Sequence, residues 1–244
     1  MSLSANSERF LNAFAIIEND MNRRVKSDRY ISYAELVRRI ATMDKSYHQL
    51  RRYLEEFGDL RNAIVHERID GEVIAEPHLK VVEQIEHIAQ LLTQPERVKP
   101  LFLKKVNYLF SDVSLKQAVN NLDSWRHSKI PVYDRQMHFK GLLTTDAVTH
   151  FLVKAINQAN CDFPDVTVEE VMKLDEKYRS VTFVSENTTL LNVINEFESH
   201  LRQGKKLYEI IITQDGASNQ RPLGIITTFD LPLIYDKLSY NLLK

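Results

Sequence analysis

The first 93 residues place apolar side chains at the three- and four-residue spacing of amphipathic helices. The stretch RFLNAFAIIENDMNRRV has one apolar face, and SYAELVRRIATM opens with Ser32 and Glu35 at the spacing of a capping box. A third stretch, DKSYHQLRRYLEEFGDLRNAIVHER, carries a broad apolar stripe, and a last one follows Pro77. The pattern predicts a bundle of four or five helices over residues 1–93.

After a proline-containing segment that we interpret as a linker at residues 94–100, the pattern changes and an imperfect repeat appears. Each copy has a short strand, an amphipathic helix, a β-rich run (KIPVYD or YEIIITQD) and a strand ending in Gly-φ-φ-Thr, where φ is apolar. One such unit cannot bury its own sheet face, so we expect the copies to pack together. The predicted fold class is a two-domain α+β protein, with a helical bundle at 1–93 and a tandem β-α-β-β-α pair at 101–244, divided into about 101–160 and 161–244.

Composition and charge narrow the classes of function. The chain is 43% hydrophobic and 27% charged, which is typical of a globular protein with a sizeable core. No apolar run approaches the roughly 20 residues that cross a bilayer, and the start MSLSANSERF lacks a secretory signal pattern, so we expect a cytoplasmic protein without a membrane partner. One cysteine and the absence of Cys/His metal spacing predict neither a disulfide nor a metal site. The net charge of −3 over residues 1–96 and +2 over 97–244 lacks the positive excess of a general nucleic-acid binder.

The motifs KIPVYD with GLLTTD, and YEIIITQD with GIITTFDL, resemble the tandem CBS domains of a Bateman module. The stretch VEEVM at 168–172, just ahead of the second copy, is also typical of that family. The resemblance covers residues 101–244 and implies a regulatory ligand that contains adenine, with no required cofactor. The ligands it implies are AMP, ADP or ATP, with S-adenosylmethionine and cyclic di-AMP as alternatives.

The ligand motif of that family is Gly-φ-φ-Thr/Ser-x-x-Asp. Its glycine lets the backbone approach closely, its hydroxyl suits a phosphate at a helix start, and its carboxylate accepts hydrogen bonds from ribose hydroxyls. The second copy matches in full at Gly224, Thr227 and Asp230. The first copy is one residue short between Thr144 and Asp146, which displaces Asp146 by about 100° around a following helix. We therefore expect two unequal clefts.

The resemblance also implies which side chains line the clefts. At the sheet edges these are Ser128, Ile130 and Pro131 in the first copy, and Tyr208, Glu209 and Ile210 in the second. Arg179, just ahead of the second copy, is expected to neutralise a phosphate. A different interpretation stays open, because Thr227 and Asp230 equally fit an ordinary helix N-cap pair. Many CBS pairs act without a ligand, as packing or dimerisation units.

The end of the third helical stretch, LRNAIVHE, resembles the Arg-x4-His motif of HEPN domains, which are helical and often dimeric. The matched residues are Arg61, Asn62 and His66. The resemblance implies metal-independent RNA cleavage, in which the histidine transfers a proton and the arginine holds the scissile phosphate. Residues five apart lie about 140° apart on a helix, so one pair converges only if the helix ends near His66 or a dimer partner completes the site.

Simpler roles for these residues remain open as well. Arg61 equally fits an ion pair with a nearby glutamate (Glu55, Glu56 or Glu67), and His66 fits a cation at a helix C-terminus.

We expect a regulatory or sensor protein that binds an adenine nucleotide in its CBS pair and transmits occupancy to a helical, homodimerising domain. The alternatives are a HEPN-type endoribonuclease under CBS control, with RNA as a partner, and a ligand-free assembly scaffold; enzymatic activity ranks behind regulation.

Overall fold

The computed structural model describes residues 4–27, 29–66, 68–69, 72–73, 75–157, 166–173 and 180–239. The chain folds into two compact units. The first unit comprises the residues up to Glu96, Thr189–Asn195 and the residues from Leu231 onwards. The second unit comprises Arg97–Thr188 and Glu196–Asp230. The domain boundaries at 93, 101 and about 160 stay a prediction from the sequence.

The first unit contains four long helices, α1 (Ala5–Val25), α2 (Tyr33–Met43), α3 (Lys45–His66) and α4 (Leu79–Thr93). Helix α1 packs against α4, and α2 packs against α3. The apolar stripes of these helices form the core, which includes Phe10, Ile17, Met21, Val37, Leu54, Ile64, Ile85 and Ile88. Ser32 begins α2 by accepting a hydrogen bond from the backbone N–H of Glu35. A short antiparallel hairpin, β1 (Arg68–Ile69) and β2 (Glu72–Val73), follows α3.

The repeat found in the sequence forms two copies of one topology. After a helical turn, α5 (Val98–Leu101), the first copy runs β3 (Leu109–Phe110), α6 (Leu115–Trp125), β4 (Lys129–Tyr133), β5 (Phe139–Thr144) and α7 (Thr145–Asn157). After α8 (Val168–Met172), the second runs β6 (Val181–Ser185), α9 (Leu190–Arg202), β7 (Glu209–Thr213), β8 (Gly224–Ile226), a 3-10 turn (Thr228–Asp230) and α10 (Leu231–Lys237). In each sheet the first two strands are parallel and the third is antiparallel. The predicted order β-α-β-β-α is therefore present twice.

Helix α8 belongs to the core of the first copy. Val168, Val171 and Met172 are buried among apolar side chains of α6, β4 and β5. The backbone N–H of Val168 donates to the carbonyl of Val113, and that of Glu169 donates to the carbonyl of Ser111. The sequence placed VEEVM just ahead of the second copy, and the structure shows that these three apolar side chains complete the first hydrophobic core.

The segment interpreted as a linker at residues 94–100 is partly built into the second unit. Val98 is fully buried, and its backbone N–H donates to the carbonyl of Thr188 at 2.9 Å. The Arg97 guanidinium donates to the carbonyl of Asn187. These two hydrogen bonds and the burial of Val98 fix the end of the segment against the turn that follows β6.

Candidate functional site

In the Gly-φ-φ-Thr-x-x-Asp motif of the second copy, the threonine and the aspartate are hydrogen-bonded to each other. The hydroxyl of Thr227 donates to Oδ2 of Asp230 at 3.0 Å, and the backbone N–H of Thr227 donates to the same oxygen at 2.7 Å. Both residues are half-buried, at the end of β8 and in the 3-10 turn after it. Within the described ranges, Oδ1 of Asp230 has no hydrogen-bond partner. The turn therefore holds the carboxylate through one oxygen and leaves the other to accept a further hydrogen bond.

Gly224 serves packing inside the protein. A Cβ atom at this position would collide with the carbonyl oxygen of Phe102. The backbone N–H of Lys104 donates to the carbonyl of Leu223 at 2.9 Å, so residues 102–104 run beside the start of β8. The close backbone approach inferred for this glycine is therefore made by the chain's own Phe102.

The motif of the first copy has a different geometry. Thr144 is buried, and its Oγ1 accepts a hydrogen bond from the backbone N–H of Ala147 at 3.0 Å. Asp146 is exposed in the first turn of α7. The threonine here caps a helix, whereas Thr227 holds the carboxylate of Asp230. The two motifs are unequal, as the missing residue predicts.

The sheet-edge residues fall into two groups. Ile130 is fully buried in the first core, and Ile210 is fully buried opposite Ile226 in the second sheet. Ser128 is exposed, and its carbonyl accepts from the N–H of Thr145. Tyr208 is half-exposed. Ser128 and Tyr208 reach the surface as cleft residues must, whereas the side chains of Ile130 and Ile210 point to cores. Arg179 lies outside the described residues.

Two residues beside this motif have surroundings that the sequence did not predict. Phe229, between Thr227 and Asp230, is 93% exposed. Glu209, at the start of β7, is buried, with 6% of its surface exposed. The resemblance implied that Glu209 lines a cleft, without indicating that its carboxyl group is buried. Nothing in a single sequence separates a buried glutamate there from an exposed one.

The Arg-x4-His motif converges within one chain. Helix α3 ends at His66, and Nη1 of Arg61 lies 2.9 Å from Nε2 of His66 and 3.3 Å from Oδ1 of Asn62. Because a guanidinium N–H can only donate, Nε2 of His66 is the acceptor in this contact. Two of the three glutamates considered as partners are engaged elsewhere, Glu55 with Arg51 and Glu56 with Arg52, and Glu67 lies outside the described residues. The end of the helix removes the 140° separation, so a dimer partner is not needed to bring the pair together.

A groove of about 500 Å³ adjoins this motif in the first unit. It is lined by Phe14, Tyr30 and Tyr33, by the carboxylates of Glu18, Glu55 and Asp59, and by Arg61 and Asn62. The Tyr33 ring lies against Gly58, where a Cβ would come within 2.8 Å of it. Burial, with the nearby Glu18 carboxylate adding to it, raises the pKa of Tyr33. An excess of carboxylates over guanidinium groups makes this groove unfavourable for a phosphate.

Comparison with solved structures shows likeness to CBS-domain pairs over the C-terminal part of the chain. The CBS domain pair of protein MJ0100, in complex with 5′-methylthioadenosine and S-adenosyl-L-methionine, is 20% identical over 59% of this chain and 98% of its own, with a TM-score of 0.41. The CBS domains of a transcriptional regulator from Streptococcus pneumoniae are 18% identical over 55% and 94%, with a TM-score of 0.39. The CBS domain of a bacterial CNNM/CorC family Mg²⁺ transporter is 17% identical over 65% and 84%, with a TM-score of 0.40.

No protein-family model and no curated protein matches the chain. At identities of 20% or less and TM-scores below 0.5, the structural likenesses do not bear on what this chain binds. The strand order and register of the two copies define the fold of this part of the chain. Among the described helices, none has the length and apolarity needed to cross a membrane.

Proposed function

We propose that this chain is a regulatory protein that binds an adenine nucleotide at the Thr227/Asp230 turn and transmits occupancy to its helical unit. The observation that carries the proposal is the half-buried Asp230 carboxylate, which Thr227 holds through Oδ2 while Oδ1 has no hydrogen bond within the described ranges. A fixed carboxylate with one open oxygen suits a ribose hydroxyl, because it can only accept when ionised. The exposed ring of Phe229 offers a neighbouring flat apolar surface.

The chain order gives a route for transmission. Asp230 is followed directly by α10, whose residues group with the helical unit. At the end of α10, the backbone of Leu238 is hydrogen-bonded to the ring of His87 on α4. A ligand that fixes Asp230 therefore acts on the start of a helix that is anchored to α4. A ligand shifts an equilibrium only by the difference between its affinities for the two states. The change in the free energy of association of the helical unit therefore equals the difference between the ligand's binding free energies for the associated and the dissociated protein.

A nucleotide panel tests the binding. Purified protein is titrated with AMP, ADP, ATP, S-adenosylmethionine and cyclic di-AMP while thermal unfolding is followed. A ligand present at 100 times its Kd should stabilise the protein by about 2.7 kcal/mol. Asp230→Ala should abolish this gain, whereas Asp146→Ala, the matching exposed acid of the first copy, should retain it. Absence of any stabilisation contradicts the proposal and favours the ligand-free scaffold.

Sedimentation of the same protein with and without the bound nucleotide tests transmission. We expect the helical unit to form a homodimer whose dissociation constant changes when the nucleotide is added. By reciprocity, the dimer and the monomer then bind the nucleotide with affinities that differ by the same factor. An unchanged dissociation constant at saturating nucleotide contradicts transmission and leaves binding intact.

Metal-independent RNA cleavage is a second candidate, supported by the 2.9 Å contact between Arg61 and His66. The carboxylates of the adjoining groove oppose it, so we rank it behind regulation. Incubation of mixed RNA with the wild type, Arg61→Ala and His66→Ala is the test, with Arg51→Ala as the control for loss of a helix-surface arginine. Cleavage that only Arg61→Ala and His66→Ala abolish supports the enzyme; equal cleavage by all variants, or none, excludes it.

A further inference from the structure

Glu209 is the first residue of β7, and only 6% of its surface is exposed. Its Oε2 is enclosed by protein atoms and has no hydrogen-bond partner among the described residues. A buried polar group without a partner is costly, so native proteins retain few of them and those call for an explanation.

The charged and titratable groups facing Glu209 come from β4 of the first copy. The Lys129 ammonium lies 5.2 Å from the centre of the Tyr208 ring, and within the described ranges it forms no ion pair with Glu209. The hydroxyl of Tyr133 is also enclosed, with no hydrogen-bond partner in the part of the chain that the structure describes. Burial raises the pKa of Tyr133, and the nearby Tyr108 and Glu209 add to the rise. Neither neighbour therefore supplies the hydrogen bond that Glu209 lacks.

The register of the second sheet places Glu209 next to the nucleotide motif. Strand β7 pairs with β8 through Ile210 and Ile226, so Glu209 comes one residue before this pair and Thr227 one residue after it. Antiparallel strands bring such residues opposite each other. The unsatisfied carboxyl group thus lies across the ladder from the threonine that holds Asp230.

We propose that Glu209 recognises the base of the nucleotide as a neutral acid, donating its O–H to N1 of adenine and accepting from the 6-amino group. This inference rests on the proposed function of the Thr227/Asp230 turn. A protonated carboxyl presents one donor and one acceptor side by side, which matches the acceptor and donor on the adenine edge. Guanine presents two donors there, N1–H and the 2-amino group, and these match an ionised carboxylate instead.

The state of Glu209 near neutral pH fits the adenine arrangement. Burial raises the pKa of Glu209 to about 7, against the opposing effect of Lys129. The acid form is therefore substantially present at neutral pH, and a ligand that pairs only with this form holds the proton in place. Affinity for adenine is full at low pH and falls as pH rises above the pKa of Glu209 in the unliganded protein, about 7.

Binding of AMP, GMP and IMP is measured by calorimetry between pH 6 and pH 8.5 on the wild type, Glu209→Gln and Glu209→Ala. The wild type should prefer AMP and lose about tenfold in affinity per pH unit above the pKa of Glu209 in the unliganded protein, about 7. Glu209→Gln keeps a donor beside an acceptor without titrating, so it should bind AMP well and lose this pH dependence. Glu209→Ala should bind AMP roughly 10- to 100-fold more weakly at pH 6. The phosphate itself titrates near pH 6, and Glu209→Gln shares that effect.

The outcomes separate this inference from the function it rests on. AMP binding that is equally tight in Glu209→Ala, or has the same pH profile in wild type and Glu209→Gln, overturns the role of Glu209 and leaves the Thr227/Asp230 site standing. A preference for GMP that grows with pH also overturns it, because it requires the ionised carboxylate. Absence of AMP binding by the wild type overturns both.

Discussion

Burial of Glu209 links the stability of the fold to pH in a defined direction. Its pKa is about 7 in the folded chain against an ordinary value of 4.5. A raised folded pKa contributes stability that is full below about pH 4.5 and is lost as pH rises through 7. Glu209→Gln should therefore be more stable than the wild type at pH 8, by up to about 3 kcal/mol, and show no such gain at pH 4.5. Urea unfolding at the two pH values measures this, and an equal difference at both contradicts it.

Gly224 carries a second prediction at the same scale. Because a Cβ there would meet the backbone carbonyl of Phe102, Gly224→Ala should destabilise the protein by about 1–3 kcal/mol. The loss should be the same with and without nucleotide, since the crowding is internal. Gly204→Ala is the control: no atom of the described residues lies within 4 Å of its Cβ position, and its left-handed φ of 66° opposes the change. A Gly224→Ala protein as stable as the wild type but unable to bind AMP would give this glycine a ligand role instead.

At the scale of elements, the cap of α7 depends on one hydroxyl. Thr144 accepts from the backbone N–H of Ala147, and this bond is buried. Thr144→Ala should lower the free energy of unfolding by about 1 kcal/mol. Thr145→Ala, one residue on and exposed, should change it little, because the side chain of Thr145 is not the cap. Thermal unfolding of the two variants measures the difference, and equal losses contradict the cap.

The order of elements was readable from the sequence where apolar spacing was regular. The runs KIPVYD and YEIIITQD predicted the central strands, and the missing residue between Thr144 and Asp146 predicted the inequality of the two motifs. The five residues of helix α8 indicated a helix ahead of the second copy but not which hydrophobic core it enters. The contact between Arg61 and His66 depends on the residue at which α3 ends, and the protonation of Glu209 depends on its burial. Neither could be predicted from the sequence, because tertiary packing determines both.

At the scale of the whole molecule, His87 makes the stability of the fold depend on pH in the acid range. Burial lowers the pKa of His87 below 6.5, more than its hydrogen bond to the backbone of Leu238 raises it. A depressed folded pKa gives stability that is full above about pH 6.5 and is lost as pH falls through the folded pKa. The melting temperature should fall between pH 7 and pH 5, and His87→Gln should reduce that fall. The exposed His150 provides the control, and a His150→Gln protein that behaves like His87→Gln contradicts this assignment.

The residues around Phe102 decide how the molecule can be divided. Arg97 and Val98 bond to the turn after β6, and Lys104 bonds to the residue before β8, although all three precede the first copy in the chain. A fragment that begins between the copies would lack this segment and leave the edge of β8 uncovered, and an open strand edge favours aggregation. Expression of the second copy alone should therefore yield insoluble protein, whereas a fragment that begins before Arg97 retains the cover. The two copies are transplantable into another protein only as a pair, with the leading segment attached.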